Sequence, residues 1–340
     1  MVKINIYKNN NIEKLLIHSI MKFKSINEFL FDLENFLYKN NEYTDTKQIF
    51  ITGLARSGTS AALNSFCKSN LYGSLTYDDI PFLLCPNLFN KFKKYFKKKT
   101  NSNERAHGDG ISISQQSPEA FEEFFWKKEL NDNYIEKEFL LENKILDENI
   151  VNFQKYISLI LQKYKKKIYI SKNNNNILRI SYISQKLKDS IILIFFRNPI
   201  DHCRSLMEQH LNFQKLQTQN KFVLKYMNYL GHYEFGKNLK RFKIGEYNKK
   251  NPENIDFWIE VWINYYKFVL DNLNYKNIHL ICYEDLAEKK NEYIKKKIND
   301  KYFDQDLDFS EYNSKNKKNI FIENDFKYAN QIYEKLRELS

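Results

Sequence analysis

Residues 48–60, QIFITGLARSGTS, limit the fold more than any other part of the chain. The apolar run 48–52 ends in Gly53 and reads as a buried strand entering a turn. Residues 57–67 are small and apolar and read as the helix that follows. A strand, a glycine-bearing loop and a helix in that order present backbone N–H groups at a helix N-terminus, where an anion can sit. The segment Gly53-Leu54-Ala55-Arg56-Ser57-Gly58-Thr59-Ser60 has the frame of a phosphate-binding loop, with Thr59 at the position of the usual Lys. That Lys reaches the outer phosphates of a nucleoside triphosphate, so its absence points to a ligand without a γ-phosphate. Hydroxyls at Ser57, Thr59 and Ser60 and a cation at Arg56 suit a short dianionic group on the 5′ side of a nucleotide. The competing reading is a plain strand–turn–helix corner, where Gly and Thr serve as caps without a ligand.

Arg56 gains weight from composition. The chain has 54 Lys and Arg together, but Arg occurs only at 56, 105, 179, 197, 204, 241 and 337. With 8 Gly and 5 Pro, the bias is that of an AT-rich genome, so an Arg inside a glycine-framed turn runs against it.

Three more apolar runs lie downstream: 167–171 (KIYIS), 191–196 (IILIFF) and 277–283 (NIHLICY). They alternate with helical stretches at 177–188 and 253–273. Runs that are apolar throughout and alternate with helices predict a parallel sheet covered on both faces. The expected fold class is α/β, a P-loop-like three-layer α/β/α core with a central parallel sheet. Residues 1–46 are expected to form a helical N-terminal extension, 47–300 the main domain, and 301–340 a C-terminal helical extension packed on it. Apolar spacing across residues 11–40 supports the first of these.

The run 191–196 ends in Arg197-Asn198-Pro199, with Pro199 suited to the first turn of a helix. Arg197 therefore stands at the carboxyl end of a strand, where open α/β sheets bind ligands. Ser205 follows two helical turns later, and the pair could clamp a second, separate phosphate. Arg204 lies on another face and is expected in a structural ion pair.

These two segments together resemble the sulfotransferase family that uses the sulfate donor PAPS, 3′-phosphoadenosine 5′-phosphosulfate. In that family a PRSGTT or PKSGTT loop binds the 5′-phosphosulfate, and a strand ending in R-[DN]-P, with a Ser eight residues after the Arg, binds the 3′-phosphate. Both occur here in order, with Ala55 in place of the usual Pro and Ser60 in place of Thr. The resemblance runs from about Ile49 to about Leu286. It implies PAPS as donor, PAP as product, and nucleotide contacts from Arg56, Ser57, Gly58, Thr59, Ser60, Arg197 and Ser205. Tyr283-Glu284-Asp285-Leu286 resembles the family's Y-E-D-L, which adds Tyr283 as a candidate contact. Lys172 matches a family Lys that contacts the transferring sulfuryl oxygens, and with Arg56 it is the candidate cation for developing charge. Asn173 and Asn174 stand where other members carry Pro or His after that Lys. The His base of the cytosolic small-molecule branch is thus missing, and the spacing is closer to bacterial, carbohydrate and tyrosylprotein branches, where the base is a carboxylate.

The base has several candidates. Asp79 ranks first, in an Asp-Asp-Ile-Pro turn after the first helix; its competing role is a turn cap. Glu119 follows Ser117-Pro118, which read as N-cap and first residue of a helix, so Glu119 could instead be a first-turn carboxylate. His107 and Asp78 complete the set. His202 and His210 are expected to be structural or exposed.

The rest is bounded more loosely. At 42% apolar and 16% aromatic residues the chain can bury a sizeable core. Four Cys without a CxxC pair argue against a disulfide scaffold and for a reducing compartment. No metal-ligand constellation is visible, and no metal is expected. No apolar run reaches the ~18 residues of a membrane span, and no signal peptide is evident, so a cytoplasmic protein is expected. The Trp258, Trp262, Tyr265, Tyr266 stripe reads as core. The basic run from Lys91 to Lys99 reads as solvated surface, with an acidic glycan or peripheral association with an anionic membrane as alternatives. Nucleic acid is not expected, since no nucleic-acid motif accompanies the net charge of +12. The expected partner is a small-molecule or glycan acceptor with a free hydroxyl; the rival readings are a P-loop kinase or nucleotide hydrolase, or an inactive nucleotide- or glycan-binding module.

Overall fold

The computed structural model describes residues 11–38, 46–92, 103–104, 112–187, 189–298, 301–303, 307–309 and 326–340. Its centre is a parallel sheet of five strands: β1 (Lys47–Gly53), β2 (Tyr72–Gly73), β3 (Ile168–Lys172), β4 (Ser190–Phe196) and β5 (Ile278–Cys282). The order is β2-β3-β1-β4-β5, with every neighbouring pair parallel. After β1 the chain builds outward on one side, returns as β3, and crosses to the other side for β4 and β5. The loops after β1, β3 and β4 therefore converge where the strand order reverses, the usual ligand crevice of such sheets. Four of the strands are those expected from the sequence, each within one or two residues. The edge strand β2 was not foreseen, because two residues carry no periodicity.

Helices α1 (Asn11–Lys22), α2 (Lys24–Leu37), α3 (Thr59–Cys67), α4 (Pro86–Phe92), α5 (Glu123–Glu129) and α6 (Asp147–Tyr164) are joined by α7 (Ile180–Lys186), α8 (Pro199–Gln219) and α9 (Lys221–Leu230). α10 (Ile255–Asp271), α11 (Tyr283–Lys297) and α12 (Lys327–Glu338) complete the described helices. β1 and β4 are buried almost throughout, as strands covered on both faces must be. Among the described residues no helix is long and apolar enough to cross a membrane.

The described part of the N-terminal segment consists of helices α1 and α2. The second turns Asn27, Phe31 and Glu34 inward while Ile26, Phe29, Phe36 and Leu37 stay exposed. The reason is capping. Asn27 Nδ2 donates to the Ile20 carbonyl (2.8 Å) at the α1–α2 junction. The Glu34 carboxylate accepts the N–H groups of Asn87 (2.7 Å) and Leu88 (2.8 Å) in the first turn of α4. Burial raises the Glu34 pKa, against these bonds.

α10 buries Trp258, Trp262, Tyr265 and Tyr266, as the core reading required. Two of its polar tips reach further. Tyr266 OH donates to the Phe195 carbonyl (2.9 Å), and Trp262 Nε1 donates to His202 Nδ1 (3.2 Å). At the other end, Tyr333 of α12 packs its ring on Phe196 (centroids 5.8 Å apart), and Arg337 pairs with Asp285 (3.1 Å).

Candidate active site

The loop after β1 begins where no side chain fits. A Cβ on Gly53, at φ +149°, would lie 2.6 Å from the Phe195 carbonyl oxygen of the adjacent strand. At its far end Gly58 is left-handed (φ 101°) and opens α3. Between them Arg56 also takes a left-handed conformation, φ 72°. A non-glycine residue held there costs roughly 1–3 kcal/mol and marks a segment shaped by its surroundings.

Those surroundings come from α8. Arg56 Nε donates to Ser205 Oγ (3.2 Å), so the two residues assigned from sequence to separate anion sites touch each other. One turn earlier on α8, His202 Nε2 donates to the Ala55 carbonyl (2.8 Å). His202 is wholly buried. Burial, reinforced by the nearby Arg197 and Arg56 charges, pushes its pKa down to about 3, against the opposing effect of the Ala55 bond. From sequence this residue is expected to be structural or exposed, with no contact to the loop foreseen. Its spacing of three from Ser205 was the available signal, since both then share one helix face.

Ser57 is wholly buried, and its Oγ has no hydrogen-bond partner among the described residues. Arg197 Nε, at the end of β4, is likewise buried and without a hydrogen bond. Buried donors are normally satisfied, and these two at adjacent strand ends are not. The Arg197 guanidinium lies over the Tyr283 ring, 4.8 Å from its centre. Glu284 then accepts the Asn198 N–H (3.0 Å) and the Tyr333 hydroxyl (3.0 Å), tying the turn after β4 to α11 and α12. Asn198 caps α8 through its own side chain, with Pro199 in the first turn. Arg204 stands 3.9 Å from Asp201, as the expected ion pair. Thr59 is buried and Ser60 half-buried in the first turn of α3.

Lys172 ends β3 and aligns with Ile51 of β1, two residues before Gly53. Its ammonium is 3.8 Å from Glu119 Oε1, with both side chains about one-tenth exposed. Glu119 also accepts the Tyr77 hydroxyl (3.0 Å) and the N–H of Ala120 (2.9 Å). Residues 117–119 do not begin a helix: α5 starts at Glu123, and Pro118 forms an antiparallel bridge with Thr76. The first-turn role that competed for Glu119 is therefore absent, and the carboxylate stands beside Lys172 instead.

Asp79 has the opposite outcome. It is wholly buried, accepts the Thr76 N–H (2.7 Å) and the Tyr164 hydroxyl (2.5 Å), and forms a close ion pair with Lys163. This is the turn-cap role that competed with catalysis, and it engages both carboxylate oxygens. Asp78 lies beside it in the same turn. His107 and most of the basic run, residues 93–99, lie outside the described residues, as do the side chains of residues 91–92.

The tract 173–176 is no filler loop. All four Asn are buried. Asn173 and Asn176 donate to Glu122 (3.2 and 2.8 Å), and Asn173 also donates to Glu123 (2.8 Å). Glu123 forms a bidentate pair with Arg179, both bonds 2.8 Å. Burial alone would raise the Glu123 pKa, but the Arg179 guanidinium outweighs it and holds the carboxyl below the usual range. The acidic pair in residues 117–125 thus anchors the segment that carries Lys172.

Residues 48–241 match the sequence model of the sulfotransferase family, more than half of the chain. The protein belongs to that family. Sulfotransferase STF1 from Mycobacterium tuberculosis H37Rv is similar in structure, at 11% identity and a TM-score of 0.44 over 79% of this chain and 71% of that one. STF9 from Mycobacterium avium gives 10% identity and 0.39 over 77% and 72%. The sulfotransferase domain from the curacin biosynthetic pathway gives 13% and 0.34 over 77% and 76%. No curated protein matches the chain in sequence.

Proposed function

We propose that the chain moves a sulfuryl group from PAPS to a hydroxyl of a small-molecule or carbohydrate acceptor, with Glu119 as base. The observation that carries this reading is the pairing of orphaned donors, Ser57 Oγ and Arg197 Nε, with a Lys172–Glu119 pair at the neighbouring strand end.

The residues fit a nucleotide bearing two separate anionic groups. Ser57, Gly58, Thr59 and Ser60 would hold the 5′ group with backbone N–H and hydroxyl donors, aided by Arg56. Arg197 and Ser205 would hold the 3′-phosphate, with Tyr283 keeping the guanidinium in place. PAPS supplies the sulfuryl group, and PAP is the leaving group. Glu119 takes the proton of the acceptor hydroxyl as its oxygen bonds to sulfur and the sulfur–oxygen bond to phosphate breaks. Lys172 and Arg56 balance charge on the departing oxygens. Asp79 has no part in this, because Thr76, Tyr164 and Lys163 engage it.

The test is transfer from PAPS to a panel of saccharide and phenol acceptors, with PAP affinity measured beside it. Glu119→Gln should lower kcat about 10²- to 10⁴-fold while PAP affinity changes little. Full turnover by that variant would remove Glu119 as base. ATP hydrolysis without PAPS binding would instead favour a kinase-like enzyme.

A further inference from the structure

The peptide between Ala55 and Arg56 is gripped by one face of α8. Its carbonyl accepts from His202 (2.8 Å), and the Arg56 side chain donates to Ser205 (3.2 Å). The imidazole can make this bond in one form only. Trp262 Nε1 donates to His202 Nδ1 (3.2 Å), so Nδ1 must carry a lone pair and the ring proton sits on Nε2. A trans peptide points its carbonyl and its following N–H in opposite directions. Pinning the Ala55 oxygen to α8 therefore turns the Arg56 N–H away from that helix. The same bond supports the left-handed Arg56 backbone, which most side chains resist.

We infer that His202 is a positioning residue for the phosphate loop: as an Nε2–H imidazole set by Trp262, it fixes the Ala55–Arg56 peptide so that the loop donors face the ligand anion. His202 acts through the loop and touches no ligand. The inference rests on the reading that this loop binds the 5′ anion of a nucleotide. A neutral ring also suits the place, since a third cation beside Arg56 and Arg197 would be repelled, and burial with those two charges keeps the ring uncharged.

The experiment is calorimetric titration of the full chain with PAP, for wild type and His202→Gln, His202→Asn and His202→Phe. The Gln amide can reach Ala55, the shorter Asn amide cannot, and Phe has no donor. Phe and Asn should weaken PAP binding about tenfold, and Gln by less than about threefold, in line with one hydrogen bond. A purely structural role would lower the unfolding midpoint of the variants and leave the PAP affinity of the folded chain unchanged. Equal PAP affinities for Gln and Asn would overturn the inference even if the Phe variant fails to fold. The ¹⁵N spectrum of the His202 ring gives an independent reading: the Nε2–H tautomer supports the clamp, and the Nδ1–H tautomer sinks it. If wild type binds no PAP, the nucleotide reading falls, while the tautomer still decides whether His202 holds the loop.

Discussion

Two buried polar clusters stand at neighbouring strand ends and differ in whether their groups are satisfied. Behind β3, Glu122 and Glu123 collect donors from Trp126, Tyr134, Tyr169, Ser171, Asn173, Asn176 and Arg179. At the ends of β1 and β4, Ser57 Oγ and Arg197 Nε keep buried donors without a hydrogen bond. A saturated cluster gives its interaction energy to the folded chain, whereas an unsatisfied one costs the folded chain and returns that cost on binding. On the proposed function, the first is the scaffold for Lys172 and the second the ligand cradle. Mutations should separate the two, in stability on one side and affinity on the other.

The largest expected effect lies in the scaffold. Arg179→Ala leaves the Glu123 carboxylate buried without its cation, which should cost about 3–5 kcal/mol. Urea unfolding measures it. Replacing Glu123 and Arg179 together by apolar side chains should cost much less, because no charge is then stranded. An Arg179→Ala chain as stable as wild type would break the division into scaffold and cradle.

Arg197→Ala is the counterpart in the cradle. PAP affinity should fall on the order of a hundredfold, as for lost charge-assisted bonds to phosphate. The unfolding midpoint should move little, since Arg197 Nε has no protein hydrogen bond to lose. A large loss of stability with unchanged affinity would exchange the roles of the two clusters.

The cradle was far more legible in the sequence than the scaffold, for a physical reason. Gly53, Arg56, Gly58 and Arg197 act where they stand, through backbone conformation and strand ends, so their local pattern carries their role. Glu123 acts through Arg179, 56 residues away, and no periodicity announces such a pair. The same distance blindness put Asp79 first among the bases: its acidic type was visible, but its partner Lys163 lies 84 residues on. His202 was missed likewise, because Ala55 is 147 residues away. The burial of Asn27 and Glu34 in α2 was also hidden, since hydrophobic spacing shows which side chains are apolar and says nothing of which backbone ends need a polar cap.

The smallest effect gives the sharpest contrast, because its two parts have opposite signs. Ser57 Oγ is buried with no partner, and an unsatisfied buried hydroxyl costs the free chain about 1 kcal/mol or more. Ser57→Ala removes that cost and leaves the backbone bond from Ser57 N–H to the Leu54 carbonyl (3.2 Å) in place. The free variant should then unfold at slightly higher urea than wild type, while binding PAP about tenfold more weakly. A scaffold hydroxyl would lose stability on truncation, and an idle one would change neither quantity. Only a group kept unsatisfied for a ligand gains in one measurement and loses in the other, so a destabilised Ser57→Ala chain, or one with undiminished PAP affinity, would remove Ser57 from the cradle.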